Sequence, residues 1–226
     1  MNAVSRKFTV ALAALTVSTG MTGCASMNNT ERGAAAGVGA GGAIGAIIGR
    51  QTGNTARGAI IGAVVGGAAG AVIGRRMDRQ AAELENIPNT EVQRVGEGIA
   101  VTFESGILFA TNSDVIQSAG RSNLQQLAQS LQRYPGTEVL IVGHTDADGS
   151  DDYNMGLSLR RASAARNYLV SQGIPANVIR VEGRGESEPI ADNTTASGKQ
   201  QNRRVEVAIF ASEAYRQQVL RENGTE

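Results

Sequence analysis

The sequence predicts an α/β fold, an α+β sandwich with helices on one face of a small mixed sheet, preceded by a glycine-rich helical hairpin. Strand-like and helix-like segments alternate between residues 91 and 211, and glycine recurs at every fourth position upstream of them. Each helix-like segment carries its apolar residues in one stripe. This alternation is typical of a sandwich with right-handed crossovers. We therefore expect a βαβαβ domain at residues 91–211.

Periodicity and turn residues define the elements of this domain. Residues 93–95 and 99–103, on either side of a Gly96-Glu97-Gly98 turn, predict a hairpin or a bent strand, and further strands are predicted at 138–143, 178–182 and 205–210. The predicted helices are 113–134, which stops at Pro135-Gly136, and 157–172, which stops at Gly173. The charged residues 212–226 predict a frayed helix or a tail.

The first 23 residues have the build of a secretory signal peptide, with Arg6 and Lys7 ahead of an apolar run at 8–17. This run is too short to cross a bilayer. Cys24 is the only cysteine, so it forms no internal disulfide. Cys24 is the last residue of the sequence M-T-G-C, which resembles the lipobox of bacterial lipoproteins. This resemblance implies lipidation of Cys24. Ala25 implies, by the same resemblance, transport to the outer membrane. An ordinary cleavage site with an incidental thiol is the alternative.

The net charge argues against one class of partner. Without residues 1–23, 19 basic residues face 21 acidic ones. A protein that binds nucleic acid by its charge would carry a clear basic excess. We therefore predict no nucleic-acid partner.

Two uncharged segments between Cys24 and the main domain carry glycine at every fourth residue. They are Gly33, Gly37, Gly41, Gly45, Gly49 and Gly58, Gly62, Gly66, Gly70, Gly74. This spacing places glycine on one helical stripe where another backbone can approach closely. Each glycine costs about 0.8–1 kcal/mol relative to alanine in a helix, so such helices must pack or enter lipid.

We therefore predict a helical hairpin at residues 33–74, with 24–32 and 75–90 as linkers. The two segments resemble the glycine zippers of bacterial envelope lipoproteins. Insertion of the hairpin into a membrane and self-association into homo-oligomers both remain open, and a flexible spacer is the alternative.

The only histidine lies in the acidic stretch G-H-T-D-A-D-G-S-D-D at residues 143–152. A calcium loop that began at Asp146 would need glycine at its sixth position and glutamate at its twelfth, where Asp151 and Leu157 stand. Catalysis by His144 would lack a matched nucleophile, and no second histidine completes a metal site. We predict a structural role for His144, with no cofactor, no metal and no enzymatic activity.

A binding site fits this stretch better. Asp146 follows a predicted strand, where α/β folds place their sites, and Arg161 lies on the next helix. A carboxylate and a guanidinium on two sides of a cleft are complementary to a zwitterion. A direct salt bridge between Asp146 and Arg161 is the alternative. Asp148, Asp151 and Asp152 are expected to form a solvated rim.

Several motifs together resemble the OmpA-like peptidoglycan-binding domain. They are H-T-D at 144–146, Gly149, Y-N at 153–154, L-S at 157–158, R-R-A at 160–162 and N-R-R-V-E at 202–206. The resemblance covers roughly residues 99–210 and implies noncovalent binding of the meso-diaminopimelate in peptidoglycan stem peptides. It implies that Asp146 holds the ammonium group and Arg161 the carboxylate. The further cleft residues that it implies are Thr111, Asn112, Asn154, Leu157 and Arg204.

One residue departs from this family pattern, because Ala110 stands where many members have aspartate. The whole chain is thus expected to be an outer-membrane lipoprotein whose periplasmic domain tethers the membrane to the cell wall. Two other hypotheses remain: a domain that binds a regulatory protein partner, and a cell-wall hydrolase.

Overall fold

The computed structural model describes residues 53–110 and 112–223. The predictions made for the signal peptide, for Cys24, for the first glycine segment and for Thr111 lie outside these residues. The second glycine segment and the main domain lie within them.

A five-stranded mixed sheet forms the centre of the domain. Its strands are β1 (Thr90–Val95), β2 (Gly98–Glu104), β3 (Thr137–Gly143), β4 (Ile179–Gly183) and β5 (Arg204–Ala211). The strand order is β1-β2-β5-β3-β4. Only β3 and β4 run parallel, and the other neighbouring pairs are antiparallel. This sheet and the helices packed on it confirm the predicted fold class.

The described helices are α1 (Thr55–Ile61), α2 (Gly67–Leu84), α3 (Ser105–Leu108), α4 (Ser118–Arg133), α5 (Asp151–Ser171), α6 (Ala196–Asn202) and α7 (Glu213–Asn223). A 3-10 turn at Ala176–Val178 precedes β4. Helix α5 begins six residues earlier than predicted, because the Ser150 side chain caps it by accepting a hydrogen bond from the Tyr153 amide. Helix α4 begins later than predicted, because Ile116 forms a β-bridge with Phe109.

The two faces of the sheet are covered by different helices. Alternate strand residues such as Val101, Ile141 and Val207 belong to the large core shared with α2, α4, α5 and α7. The residues between them, including Leu140 and Ala208, belong to a smaller cluster with α1. The sequence predicted helices on one face only. The short helix α1 adds a cover on the other, where Ile60 is fully buried.

The second glycine segment does not form one long helix. It contains part of α1, a break after Ile61 and the first turns of α2. At this break Gly66, the N-cap of α2, and Gly67, its first residue, adopt positive φ angles of 76° and 61°, which the interior of a helix does not contain and which glycine tolerates. The predicted single helix at 58–74 is therefore corrected to two helices packed on the globular domain.

Helix α2 also occupies most of the predicted linker at 75–90, since it continues to Leu84. Its buried face carries Ile73, Met77 and Leu84 into the main core. Within the described ranges, no helix combines the length and the apolar character needed to cross a membrane.

Candidate binding site

Close packing of α5 on two strand ends places the candidate site. A Cβ atom on Gly143, the last residue of β3, would lie 2.8 Å from the carbonyl carbon of Ser158. A Cβ atom on Gly183, the last residue of β4, would lie 2.7 Å from the Leu159 amide nitrogen. Only glycine at these two strand ends lets α5 come this close. The loop that follows β3 is thereby held beside α5.

A cavity of about 430 Å³ opens between this loop, α5 and the segment after α3. Both residues predicted to hold the zwitterion, Asp146 and Arg161, line this cavity. Asn112, Asn154 and Leu157 line it as well, as predicted from the resemblance. The structure thus brings together five of the seven predicted site residues. Of the other two, Thr111 is outside the described residues and Arg204 lies elsewhere.

The carboxylate of Asp146 is buried and its position is fixed by hydrogen bonds. Its Oδ1 accepts a hydrogen bond of 3.1 Å from the Asp148 amide, and its Oδ2 forms an ion pair with Arg203 Nη1. The main-chain oxygen of Asp146 accepts from Asn154 Nδ2 at 3.2 Å. Asn154 Nδ2 also donates to Glu186 Oε2 at 2.6 Å. These contacts hold the charge at the cavity wall.

The guanidinium of Arg161 is also buried, with 4% of the residue exposed. Its Nε donates a hydrogen bond of 3.0 Å to the main-chain oxygen of Ser113, and its Cζ lies 5.5 Å from the centroid of the Phe109 ring. No carboxylate of the described chain lies within ion-pair distance of it, so the alternative of a direct salt bridge to Asp146 is not observed. Burial lowers the pKa of Arg161, yet an arginine remains protonated at neutral pH.

Arg204 does not line the cavity. It is 1% exposed and its Nε donates to Glu206 Oε1 at 2.6 Å. Its Nη2 donates to the main-chain oxygen of Glu188 at 3.1 Å. The prediction that Arg204 contacts the ligand is therefore corrected: Arg203 lines the cavity instead.

Side chains alternate between the two faces of a strand, which explains why Arg203 and not Arg204 lines the cavity. Residues two apart on a strand share a face, so Arg204 shares a face with Glu206 and the preceding residue points to the other side. The spacing R-V-E at 204–206 thus contained the signal for a buried ion pair.

His144 has a buried imidazole, in agreement with a structural role. Its Nε2 lies 3.9 Å from Glu206 Oε1, and no hydrogen bond to either ring nitrogen occurs within the described residues. Burial, together with the positive charges of Arg204 and Arg184, lowers the pKa of His144 to about 3. The imidazole is therefore uncharged at neutral pH, and it adds no charge to the buried carboxylate and guanidinium around it.

This pKa predicts how stability depends on pH. An unfolded histidine titrates near pH 6.5, so below that pH the unfolded chain binds a proton that the folded chain does not. The free energy of unfolding should therefore be lower at pH 5.5 than at pH 7.5 by about 1.4 kcal/mol from this group. Chemical denaturation at the two pH values measures the difference.

The matched control for this pH dependence is His144→Gln, which removes the only histidine of the chain. The variant should lose the decrease in stability between the two pH values. Glu97, whose pKa burial raises, contributes the opposite slope in both proteins. An unchanged pH dependence in the variant would assign the effect to another group.

The three predicted rim carboxylates lie where the sequence places them, beside the cleft and exposed to solvent. Asp148 forms an ion pair with Lys199 at 2.6 Å, and its side chain is 66% exposed. Asp151 and Asp152 lie in the first turn of α5, where acidic residues favour the helix dipole. Within the part of the chain that the structure describes, no group of three or more side chains could hold a metal ion.

Comparison with known proteins matches two parts of the chain. Residues 108–203 match the OmpA family, and residues 4–78 match the YMGG-like Gly-zipper. The probable lipoprotein YiaD of Escherichia coli (strain K12) is 39% identical over 136 residues, which are 59% of this chain and 62% of YiaD. Outer membrane protein A of Bordetella avium is 42% identical over 112 residues, 50% of this chain and 58% of that protein. The matches therefore span less than two thirds of these relatives.

One solved structure is matched over almost its whole length. The cell wall anchor of the T6SS from Pseudomonas aeruginosa is 30% identical, with a TM-score of 0.54. The match covers 60% of this chain and 97% of that structure.

Proposed function

Because the chain belongs to the OmpA family, we propose that it binds peptidoglycan noncovalently and thereby tethers the outer membrane to the cell wall. The ligand in the cleft would be the meso-diaminopimelate of a stem peptide. One observation carries this proposal: Arg161 is buried in the same cavity as Asp146, and no carboxylate of the described chain pairs with it. A buried positive charge without a paired carboxylate is costly, so its presence in the cavity supports binding of an anionic group.

The side chains supply what a zwitterion requires. The carboxylate of Asp146 would accept hydrogen bonds from the ammonium group, and the guanidinium of Arg161 would donate two to the carboxylate. Leu157 offers apolar contact to the methylene groups of diaminopimelate, and the amide side chains of Asn112 and Asn154 offer hydrogen bonds to the stem peptide. Each part of the ligand thus has a partner of matching chemistry.

The tethering role also needs an attachment to the membrane. The signal peptide and Cys24 support a lipid anchor in the outer membrane, with the C-terminal domain in the periplasm. The names of the relatives agree with this location, since one is a probable lipoprotein and the other an outer membrane protein. A single cleft would release a stem peptide readily, but many stems on one polymer raise the overall avidity.

Sedimentation with insoluble peptidoglycan tests this function. The full chain should be retained on peptidoglycan of the diaminopimelate type and at least tenfold less on the lysine type. Lysine keeps the ammonium group at its side-chain end but lacks the carboxylate that Arg161 would bind. A charge-assisted contact of this kind is worth roughly 1.5–3 kcal/mol, which corresponds to about tenfold or more.

The same assay separates the rival hypotheses. Equal retention on both polymers would contradict recognition of diaminopimelate. Release of soluble fragments from the polymer would indicate a hydrolase. Absence of retention on either polymer would favour a domain that binds a protein partner instead.

A further inference from the structure

A second concave surface lies at the opposite end of the sheet from the cleft. We name it the arginine groove; Arg76, Arg79, Arg133, Tyr134 and Tyr215 line it, and its volume is about 440 Å³. It adjoins Pro135, just before β3, whereas the cleft adjoins the end of β3. With about 3.3 Å per strand residue, the two sites are roughly 25 Å apart.

One arginine of the groove is fixed in place by aromatic rings. The Cζ atom of Arg76 lies 4.5 Å from the ring centroid of Tyr215 and 6.0 Å from that of Tyr134. Its Nη2 also donates a hydrogen bond to the main-chain oxygen of Pro135. The guanidinium therefore loses little freedom when a ligand binds, which favours affinity.

The groove also has an excess of positive charge. Arg79 is exposed, and no hydrogen bond or ion pair engages it within the described residues. Arg133 pairs with Glu83 at 2.8 Å, and the Tyr134 hydroxyl donates to the same carboxylate at 2.8 Å. Glu83 thus balances one of three cations, and no acidic side chain is among the described residues that line the groove.

We propose that the arginine groove binds a phosphate group, such as that of an anionic phospholipid headgroup. Guanidinium groups donate paired hydrogen bonds that match the oxygen atoms of phosphate. Arg76 and Arg79 are three residues apart on α2, so their side chains reach one side of the helix together. Arg133 approaches from α4, which gives three donors around one anion.

The position of the arginine groove, at the opposite end of the sheet from the cleft, indicates how phosphate binding could contribute to tethering. A domain that contacts lipid headgroups at one end of the sheet and peptidoglycan at the other would lie across the gap between membrane and wall. This use rests on the proposed function, whereas phosphate binding does not.

The test uses the full chain with Cys24→Ser, so that all variants share one background without an acyl chain. Arg79→Gln/Arg133→Gln is compared with Arg121→Gln/Arg180→Gln, which removes the same charge at exposed positions elsewhere. The first probe is glycerol phosphate, followed by nuclear magnetic resonance of the tyrosine rings at constant ionic strength. The second is the ratio of binding to phosphatidylethanolamine vesicles with and without phosphatidylglycerol.

The groove variant should lower the vesicle ratio about 25-fold, because each basic residue beside an anionic surface strengthens binding roughly fivefold. The control variant Arg121→Gln/Arg180→Gln should lower the vesicle ratio only slightly. Arg79→Gln alone, at an exposed residue, should lower the ratio roughly fivefold. A response to glycerol phosphate that the groove variant abolishes would show a site open to free phosphate. A response to vesicles alone would identify the lipid surface as the source. No response to either probe, or an equal loss in the control pair, would overturn the proposal.

Discussion

Replacement of Arg161 by glutamine is expected to weaken retention of the full chain on diaminopimelate-type peptidoglycan by about 100-fold. Loss of a buried charged hydrogen-bonding partner costs 2–5 kcal/mol or more in binding, and 100-fold is roughly 2.7 kcal/mol. Glutamine is shorter, carries no charge and cannot donate a paired set of hydrogen bonds to a carboxylate. Sedimentation over a range of polymer concentrations measures the change.

Arg160 provides the matched control for this experiment. It is the neighbouring residue on α5, and its side chain is 52% exposed. Its Nε lies 3.6 Å from Asp114 Oδ2. Arg160→Gln removes the same charge from the same helix turn, and retention should stay within about twofold because an exposed pair contributes little. Equal losses for the two variants would show that retention follows net charge and not the cleft.

A stability measurement separates a loss of binding from a loss of folding. Arg161 stacks on Phe109 and donates to Ser113, but its burial also costs desolvation energy. Because these effects oppose each other, the free energy of unfolding of Arg161→Gln should change by no more than about 1 kcal/mol. Asp146→Asn should give the same pattern, with weaker retention and a folded domain.

The central elements of the fold could be predicted from the sequence because their signals are local. The run E-V-L-I-V-G at 138–143 reads as a buried strand, and the structure has β3 there. The apolar stripe with Leu124, Leu127 and Leu131 reads as a helix, and α4 buries those residues. Burial on one face leaves a pattern that neighbouring residues reveal without knowledge of the tertiary structure.

Contacts between distant segments could not be predicted in the same way. Asn54 donates hydrogen bonds of 3.0 and 2.9 Å to the two carboxylate oxygens of Glu206, although 152 residues separate them. This contact, with Ile60 packed against β2 and β5, holds α1 on the sheet. Glycine spacing alone indicates a surface for close packing, and it does not say whether the partner is lipid, another copy or the chain's own sheet.

In the candidate site too, the positions of residues within local elements could be predicted, whereas contacts between distant segments could not. Asp146 and Arg161 could be predicted because each follows or belongs to an element that the sequence reveals, and complementary charges suggest a ligand between them. The hydrogen bond of Arg161 to Ser113 and its stacking on Phe109 could not be predicted, since they join α5 to the segment between α3 and α4, and Arg161 and Ser113 are 48 residues apart in sequence. The choice between Arg203 and Arg204 depends on where β5 begins, and element boundaries are the least certain part of a sequence-based prediction.

Substitutions at these two arginines should separate a structural role from a binding role. Arg204→Gln should lower the free energy of unfolding by about 3 kcal/mol, because it leaves the buried carboxylate of Glu206 without its ion pair. Arg203→Gln should cost no more than about 1 kcal/mol, since its side chain is 40% exposed and Asp146 keeps its hydrogen bond from the Asp148 amide. Denaturant unfolding of both variants measures the difference.

Retention on peptidoglycan should fall more in the Arg203→Gln variant than in the Arg204→Gln variant. Arg203→Gln should weaken retention on peptidoglycan about fivefold, because it removes a cation that lines the cavity and orients Asp146. Arg204→Gln should retain near wild-type binding at temperatures where it is folded. A control for the structural role is Arg204→Gln/Glu206→Gln, which removes both charges and should cost less stability than the sum of the two single variants. Weak retention by a folded Arg204→Gln variant, with no loss of stability, would return Arg204 to the binding site, because only contact with the ligand would explain it.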